Sequence, residues 1–156
     1  MISSKRIFLG TIAILLFSCV LYVFFEYQRD TSLPSEFVRV EFKNKIVIAE
    51  LVDTPAKRIL GLSGREELPP ETGMWFDFGS PVYPGIWMKE MKFPIDILWF
   101  DEGYHVVSFK ENALPESYPE SFEPSGLSRY VLEVPVGFVK ENGIVSGDIV
   151  LVEKGG

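Results

Sequence analysis

The chain has 156 residues, 47% of them hydrophobic, with a formal net charge of −7, one cysteine and one histidine. That length holds one core, since single domains commonly occupy about 100–150 residues. The acidic balance disfavours nucleic acid and anionic lipid as partners except at a local basic patch, and so few thiol and imidazole groups exclude a zinc site of that type and a Cys–His nucleophile pair.

The first feature along the chain is an apolar run without a charge, from Ile7 to Phe25. As a helix it spans about 28 Å, close to the hydrocarbon thickness of a bilayer. Lys5 and Arg6 precede it, while Glu26, Arg29 and Asp30 follow. The positive-inside bias then keeps residues 1–6 in the cytoplasm and sends the rest across the membrane. A cleaved signal peptide has an apolar region of only about 7–15 residues and a small-residue cleavage site. Leu16-Phe17-Ser18-Cys19 loosely resembles a lipoprotein processing box, but Phe17 is bulky for it and the apolar run continues to Phe25. The segment therefore reads as an uncleaved single-pass anchor, with an extracytoplasmic domain behind it at the cell membrane. With Lys5 and Arg6 removed, 13 basic residues face 22 acidic ones, a charge of −9 beyond the anchor. A domain without disulfides has to be held by its own core.

Residues 26–36 are polar, contain Pro34 and read as a stalk, with the domain proper over residues 37–154. Phe37–Phe42 and Ile46–Leu51 are rich in strand formers, and Lys43-Asn44-Lys45 between them suits a hairpin turn. Thr54 followed by Pro55 is a helix-start signal and predicts a short helix to Leu60. Gly61-Leu62-Ser63-Gly64-Arg65 then leads into a proline loop. Met74–Phe78 reads as a strand, Gly79–Gly85 as a turn-rich loop, and Ile86–Lys89 as extended. Ile95–Phe100 and Tyr104–Phe109, joined by Asp101-Glu102-Gly103, form a hairpin. Leu114–Gly126 is acidic, proline-rich and without period, the signature of a long surface loop. A strand over Tyr130–Val134, a short helix over Pro135–Asn142 closed by Gly143, and a strand over Asp148–Val152 complete the chain.

Alternation places Asp96 on one side of its strand with Leu98 and Phe100, and Ile95, Ile97 and Trp99 on the other. Both faces are apolar, so this carboxyl must be paired, hydrogen-bonded or protonated. Glu133 poses the same question beside Val131. Arg65 and Lys89 are the candidate cations, Glu90 a third acid, and Trp87, next to Pro84-Gly85, the tryptophan placed for exposure, while Trp75 and Trp99 lie in core-like runs. His105, beside a hairpin turn, reads as a partly exposed strand residue. A cluster of Arg65, Trp87, Lys89, Asp96 and Glu133 makes either a polar pocket for a small polar ligand or a buried structural network. No residue pattern calls for a metal or a cofactor.

Gly61-Leu62-Ser63-Gly64-Arg65, Gly73-Met74-Trp75-Phe76, Trp87-Met88-Lys89, Pro94-Ile95-Asp96-Ile97, Val131–Gly137 and Gly143–Asp148 occur in that order. Together they resemble the DUF192 family, also called UPF0127, small bacterial and archaeal domains without an established biochemical role. The resemblance spans roughly Val38–Val152. It implies a mainly β, barrel-like domain with short helices, often secreted or behind one N-terminal membrane segment. It also implies polar residues at Arg65, Lys89, Asp96 and Glu133. Glu90-Met91 departs from the Asn-Thr that usually follows the tryptophan-methionine motif.

The expectation is thus a mainly β (α+β) fold, and a membrane-anchored binding or envelope-associated accessory module contacting a small polar ligand or an envelope protein. Two alternatives stay open: a glycan- or peptide-directed hydrolase using paired carboxylates among Asp96, Glu133 and Glu90, and a purely structural docking domain. Because a guanidinium offers five donors in a planar fork, Arg65 is expected to bond Asp96 or Glu133.

Overall fold

A computed structural model describes residues 36–155. Among these, no helix is long and apolar enough to cross a membrane. The segment 7–25, the candidate anchor, lies outside the described residues, as does nearly all of the stalk.

The described residues form nine strands and two short α-helices, in order β1 (Phe37–Phe42), β2 (Lys45–Val52), α1 (Pro55–Leu60), β3 (Thr72–Val82), β4 (Ile86–Trp87), β5 (Ile95–Phe100), β6 (Val106–Ala113), β7 (Ser121–Phe122), β8 (Ser128–Pro135), α2 (Phe138–Glu141) and β9 (Leu151–Lys154). Thr54 caps α1 by accepting from the Lys57 N–H, and Pro55 opens the helix. The long loop is not wholly irregular: it holds a 3₁₀ turn at Pro115–Ser117 and the small strand β7, which pairs with β4. Strand β3 runs on to Val82, past the expected turn at Gly79.

Seven strands form one sheet in the order β6-β5-β8-β3-β2-β1-β9. The domain is mainly β with few helices, but the expected barrel does not close. Strands β6 and β9 remain edges, and an isolated bridge between His105 and Ile149 links the segments that precede them. The reason lies in the Gly147–Val150 segment. It bonds the backbone of Tyr104 and Val106 at the head of β6, after which the chain turns away to pair with β1.

Each face of the sheet carries its own core. Trp75, Leu98, Phe100, Tyr130, Leu132 and Val134 pack with β1 and α2 on one side. Met74, Phe76, Ile95, Ile97, Trp99 and Val131 pack with Leu62, Ile86 and Met88 on the other. Every residue of β5 is buried, as the apolar character of both its faces predicts. Close approach also constrains β3, because a Cβ on Gly73 would sit 2.8 Å from the Glu133 carbonyl oxygen.

Asp96 is fully buried, and its partners are backbone amides. Its Oδ1 accepts the Asn112 N–H and its Oδ2 the Val139 N–H, each at 2.9 Å. Asn112 holds a left-handed φ of 50° in β6, a conformation asparagine tolerates better than most residues. The carboxylate thus pins α2 and a bend in β6 to β5. Asp96→Ala strands both amides and is expected to lower stability by about 3–5 kcal/mol in urea unfolding, with Asp96→Asn losing less because one acceptor remains.

Candidate functional site

The Gly61–Arg65 loop and the turn after β4 are clasped together. The Ser63 hydroxyl donates to the Lys89 carbonyl at 2.8 Å, and the Gly64 N–H donates to the Glu90 carbonyl at 2.9 Å. A buried bond from Trp99 Nε1 to the Pro84 carbonyl, 2.9 Å, fixes the approach to β4. These bonds place Trp87 and Lys89 on the rim of a cleft of about 540 Å³ that is also lined by Arg58, Leu60, Phe76, Phe78 and Glu133. Arg58 lies over the Phe78 ring at 5.1 Å and donates from Nη1 to the carbonyls of Asp53 and Asp77, both at 2.9 Å.

Glu133 reaches this cleft from the interior strand β8, where Met74 and Ile97 are its cross-strand neighbours. It is 5% exposed, and its Oε2 has no hydrogen-bond partner. Burial pushes its carboxyl up to about 8, opposed only by the field of Arg65. At neutral pH it is mainly a neutral acid, able to donate one hydrogen bond and accept another.

Of the six sequence candidates, Trp87, Lys89 and Glu133 meet at this cleft, and the other three do not. Asp96 points to the opposite face of the sheet, as alternation requires, because Asp96 pairs with Val134 while Ile97 pairs with Glu133. Glu90 is exposed and engages the glycine loop through its carbonyl. Its φ of 56° is left-handed, so the backbone there favours an asparagine or glycine irrespective of any ligand.

Arg65 corrects the expectation most directly. Its guanidinium bonds neither Asp96 nor Glu133 but holds Glu50 in a bidentate pair at 2.6 and 2.7 Å. Glu50, Met74 and Glu133 form one row across β2, β3 and β8, so Arg65 lies over the right face and takes the acid that stays near solvent. The Arg65 hydrogen bonds hold the Glu50 carboxyl below its usual range. The expected polar pocket is therefore a mostly apolar cleft with an acid inside it. Sequence reasoning missed Glu50, and it missed Ile59 and Leu60, which end a helix that buries none of its residues. No side-chain period in a six-residue helix could have flagged them.

The arrangement cannot run paired-carboxylate chemistry through Asp96 and Glu133. One acid is consumed by backbone amides on the far face, whereas a glycosidase needs its two carboxyls about 5–10 Å apart across a common cleft. No group of three or more potential metal ligands occurs among the described residues.

The DUF192 family model, described as an uncharacterized ACR, matches residues 38–152. The chain belongs to that family. Among solved structures it is similar to a presumed transcription regulator from Sinorhizobium meliloti 1021, at 31% identity and a TM-score of 0.68, over 76% of this chain and 92% of that one. It is also similar to a protein of unknown function from Novosphingobium aromaticivorans DSM 12444, at 30% identity and a TM-score of 0.66, over 74% of this chain and 83% of that one. No curated protein matches the chain.

Two outcomes follow from the charges on this face. Because the folded Glu133 carboxyl titrates near 8 and an unfolded one near 4.5, the folded state holds the extra proton between these values. Its contribution to stability is complete below the lower value and is lost as pH rises through the upper one, with a limiting slope of about 1.4 kcal/mol per pH unit. Glu133→Gln should flatten that fall when unfolding is measured from pH 5 to pH 9. Arg65→Ala breaks a half-exposed pair and should cost only about 0–1 kcal/mol, yet move the Glu133 titration, followed by carboxyl-carbon NMR, further upward.

Proposed function

We propose that this protein is a membrane-anchored, extracytoplasmic binding module whose cleft takes a small ligand with an apolar body and a hydrogen-bonding end. The anchor rests on the Ile7–Phe25 run and its flanking charges. The ligand class rests on one observation: Glu133, whose buried Oε2 has no partner, lines a cleft of about 540 Å³. Buried polar atoms in native proteins are nearly always bonded, and a cleft of this volume is of the size that small molecules occupy.

The walls select the rest of the ligand. Phe76, Phe78, Ile86 and Met91 offer apolar contact, with Trp87 as an aromatic flank. A neutral acid next to them is matched by an amide, which presents a carbonyl to the O–H and an N–H to the free oxygen. A charged ammonium is a poorer match until Glu133 ionises. The excess of 22 acidic over 13 basic residues beyond the anchor argues against nucleic acid as the ligand.

N-acetylphenylalaninamide is the probe that tests this reading, titrated into the full chain in nanodiscs and followed by amide NMR. The expected result is saturable shifts at millimolar probe around Phe76, Trp87 and Val131–Val134. Glu133→Gln, which keeps one donor and one acceptor, should retain binding, and Glu133→Leu should abolish it. Shifts confined to other surfaces, or none at all, would sink the proposal.

A further inference from the structure

The rim of the cleft has a character that ligand binding alone does not explain. Ile59 and Leu60, at the end of α1, are 65% and 63% exposed. Across the opening, Trp87 is 47% exposed and meets Tyr118 edge-on with ring centroids 6.3 Å apart. Two large aliphatic side chains and an aromatic pair thus project outward around one opening. Arg58 and Lys89 line the same cleft, and neither is paired with a carboxylate among the described residues. Lys57, also on α1, is paired with the exposed Asp53. A domain that is strongly acidic overall therefore carries an apolar and aromatic spot with two cations in it, flanked by Glu90, Glu120 and Glu123.

The tether joins the domain next to this spot. Glu36 is fixed there by its carbonyl, which accepts the Leu51 N–H at 2.7 Å. Glu36 and Phe37 line a small depression together with Lys57, Leu60, Gly61 and Arg65, and Leu60 and Gly61 are shared with the large cleft. From the end of the apolar run to this point, residues 26–36 reach at most about 40 Å when fully extended. With residues 7–25 taken as the anchor, Glu36 stays within about 40 Å of the bilayer.

We infer that the rim formed by Ile59, Leu60, Trp87 and Tyr118 rests on the lipid surface, so that the cleft opens onto the membrane and takes its ligand from there. The occupant of the rim is the bilayer interface. Tryptophan and tyrosine settle at headgroup level, aliphatic side chains reach the acyl boundary, and Arg58 and Lys89 face lipid phosphates. Asp53 is paired with Lys57, while Glu90, Glu120 and Glu123 flank the rim and oppose an anionic surface, so the contact depends on the apolar and aromatic side chains more than on charge. The inference rests on the anchored-module reading and adds to it the direction from which the ligand arrives.

The three tryptophans make the test direct. None lies in the apolar run, and Trp75 and Trp99 are 0% and 1% exposed, so Trp87 alone is placed to meet lipid. The full chain is reconstituted into vesicles of zwitterionic lipid, with or without anionic lipid, and with acyl chains brominated near the headgroup. The expected result is a blue shift and lipid quenching of the Trp87 emission, absent in Trp87→Phe, and reduced access to aqueous iodide. Ile59→Ser with Leu60→Ser, both at exposed positions, should abolish the quenching while leaving the far-ultraviolet circular dichroism unchanged. In anionic vesicles Lys89→Gln should lower the ratio of docked to undocked domain by about five-fold, the effect of one basic group at such a surface. Trp87 that stays open to iodide and unquenched by lipid overturns the inference. So does shielding that grows only with the protein-to-lipid ratio, since that marks a second copy on the rim. Failure of the anchor itself is distinguishable: alkaline extraction would then strip the chain from the vesicles, and the premise would fall independently of the rim.

Discussion

Strands β5 and β8 are neighbours in the sheet, and the facing stretches around Asp96 and Glu133 are buried, so a carboxyl placed there must be met by donors or give up its charge. The chain places one acid on each, in adjacent register and on opposite faces. Asp96 takes the first course, with an amide on each oxygen. Glu133 takes the second, with an unpartnered oxygen and a carboxyl raised to about 8. The same residue chemistry on paired strands thus becomes a structural clamp on one side and an open valence on the other. What separates them is the element packed above each face. The first turn of α2 presents the Val139 N–H to Asp96 and the bend in β6 the Asn112 N–H, whereas Met74, Ile97 and the cleft surround Glu133.

That contrast shows how much the sequence could reveal. Alternation correctly divided Asp96 from Ile95, Ile97 and Trp99, and composition separated the two buried tryptophans from the exposed one. The first hairpin, α1 and β5 were legible because turn chemistry, capping and strand propensity agree there. The partner of Arg65 was not legible. Choosing among Glu50, Asp96 and Glu133 requires knowing that β2 and β3 run parallel, with Glu50 opposite Met74, and a parallel pairing through a helical crossover leaves no local mark. Openness of the sheet was equally hidden, because it depends on where β9 leaves the head of β6.

The glycine loop explains why motifs distant in sequence belong to one site. Gly61–Arg65 and Trp87–Glu90 bond through Ser63, Gly64 and the carbonyls of Lys89 and Glu90, so either segment alone would leave the cleft without a rim. The left-handed turn at Glu90 follows from that clasp, since its carbonyl has to point back to Gly64. Backbone geometry by itself thus favours an asparagine or glycine at this position, and the glutamate this chain carries there holds a conformation that is costly for it.

A neutral carboxylic acid in an apolar wall is a poor choice for stability alone. An unbonded buried polar group costs about 1–3 kcal/mol, and an aliphatic side chain at the same register would pack against Met74 and Ile97 without that penalty. Arg65 lies close enough for its field to oppose the raised carboxyl pKa, but it hydrogen-bonds Glu50 and not Glu133, and the resulting pair is close to neutral as a unit. The fold thus holds a cation near Glu133 without letting it close the valence. Had Arg65 bonded Glu133 directly, the acid would be ionised and satisfied, and the cleft would end in a salt bridge instead of a free donor and acceptor. Glu50 is what keeps Glu133 available, which makes the half-exposed pair on β2 a determinant of the chemistry two strands away.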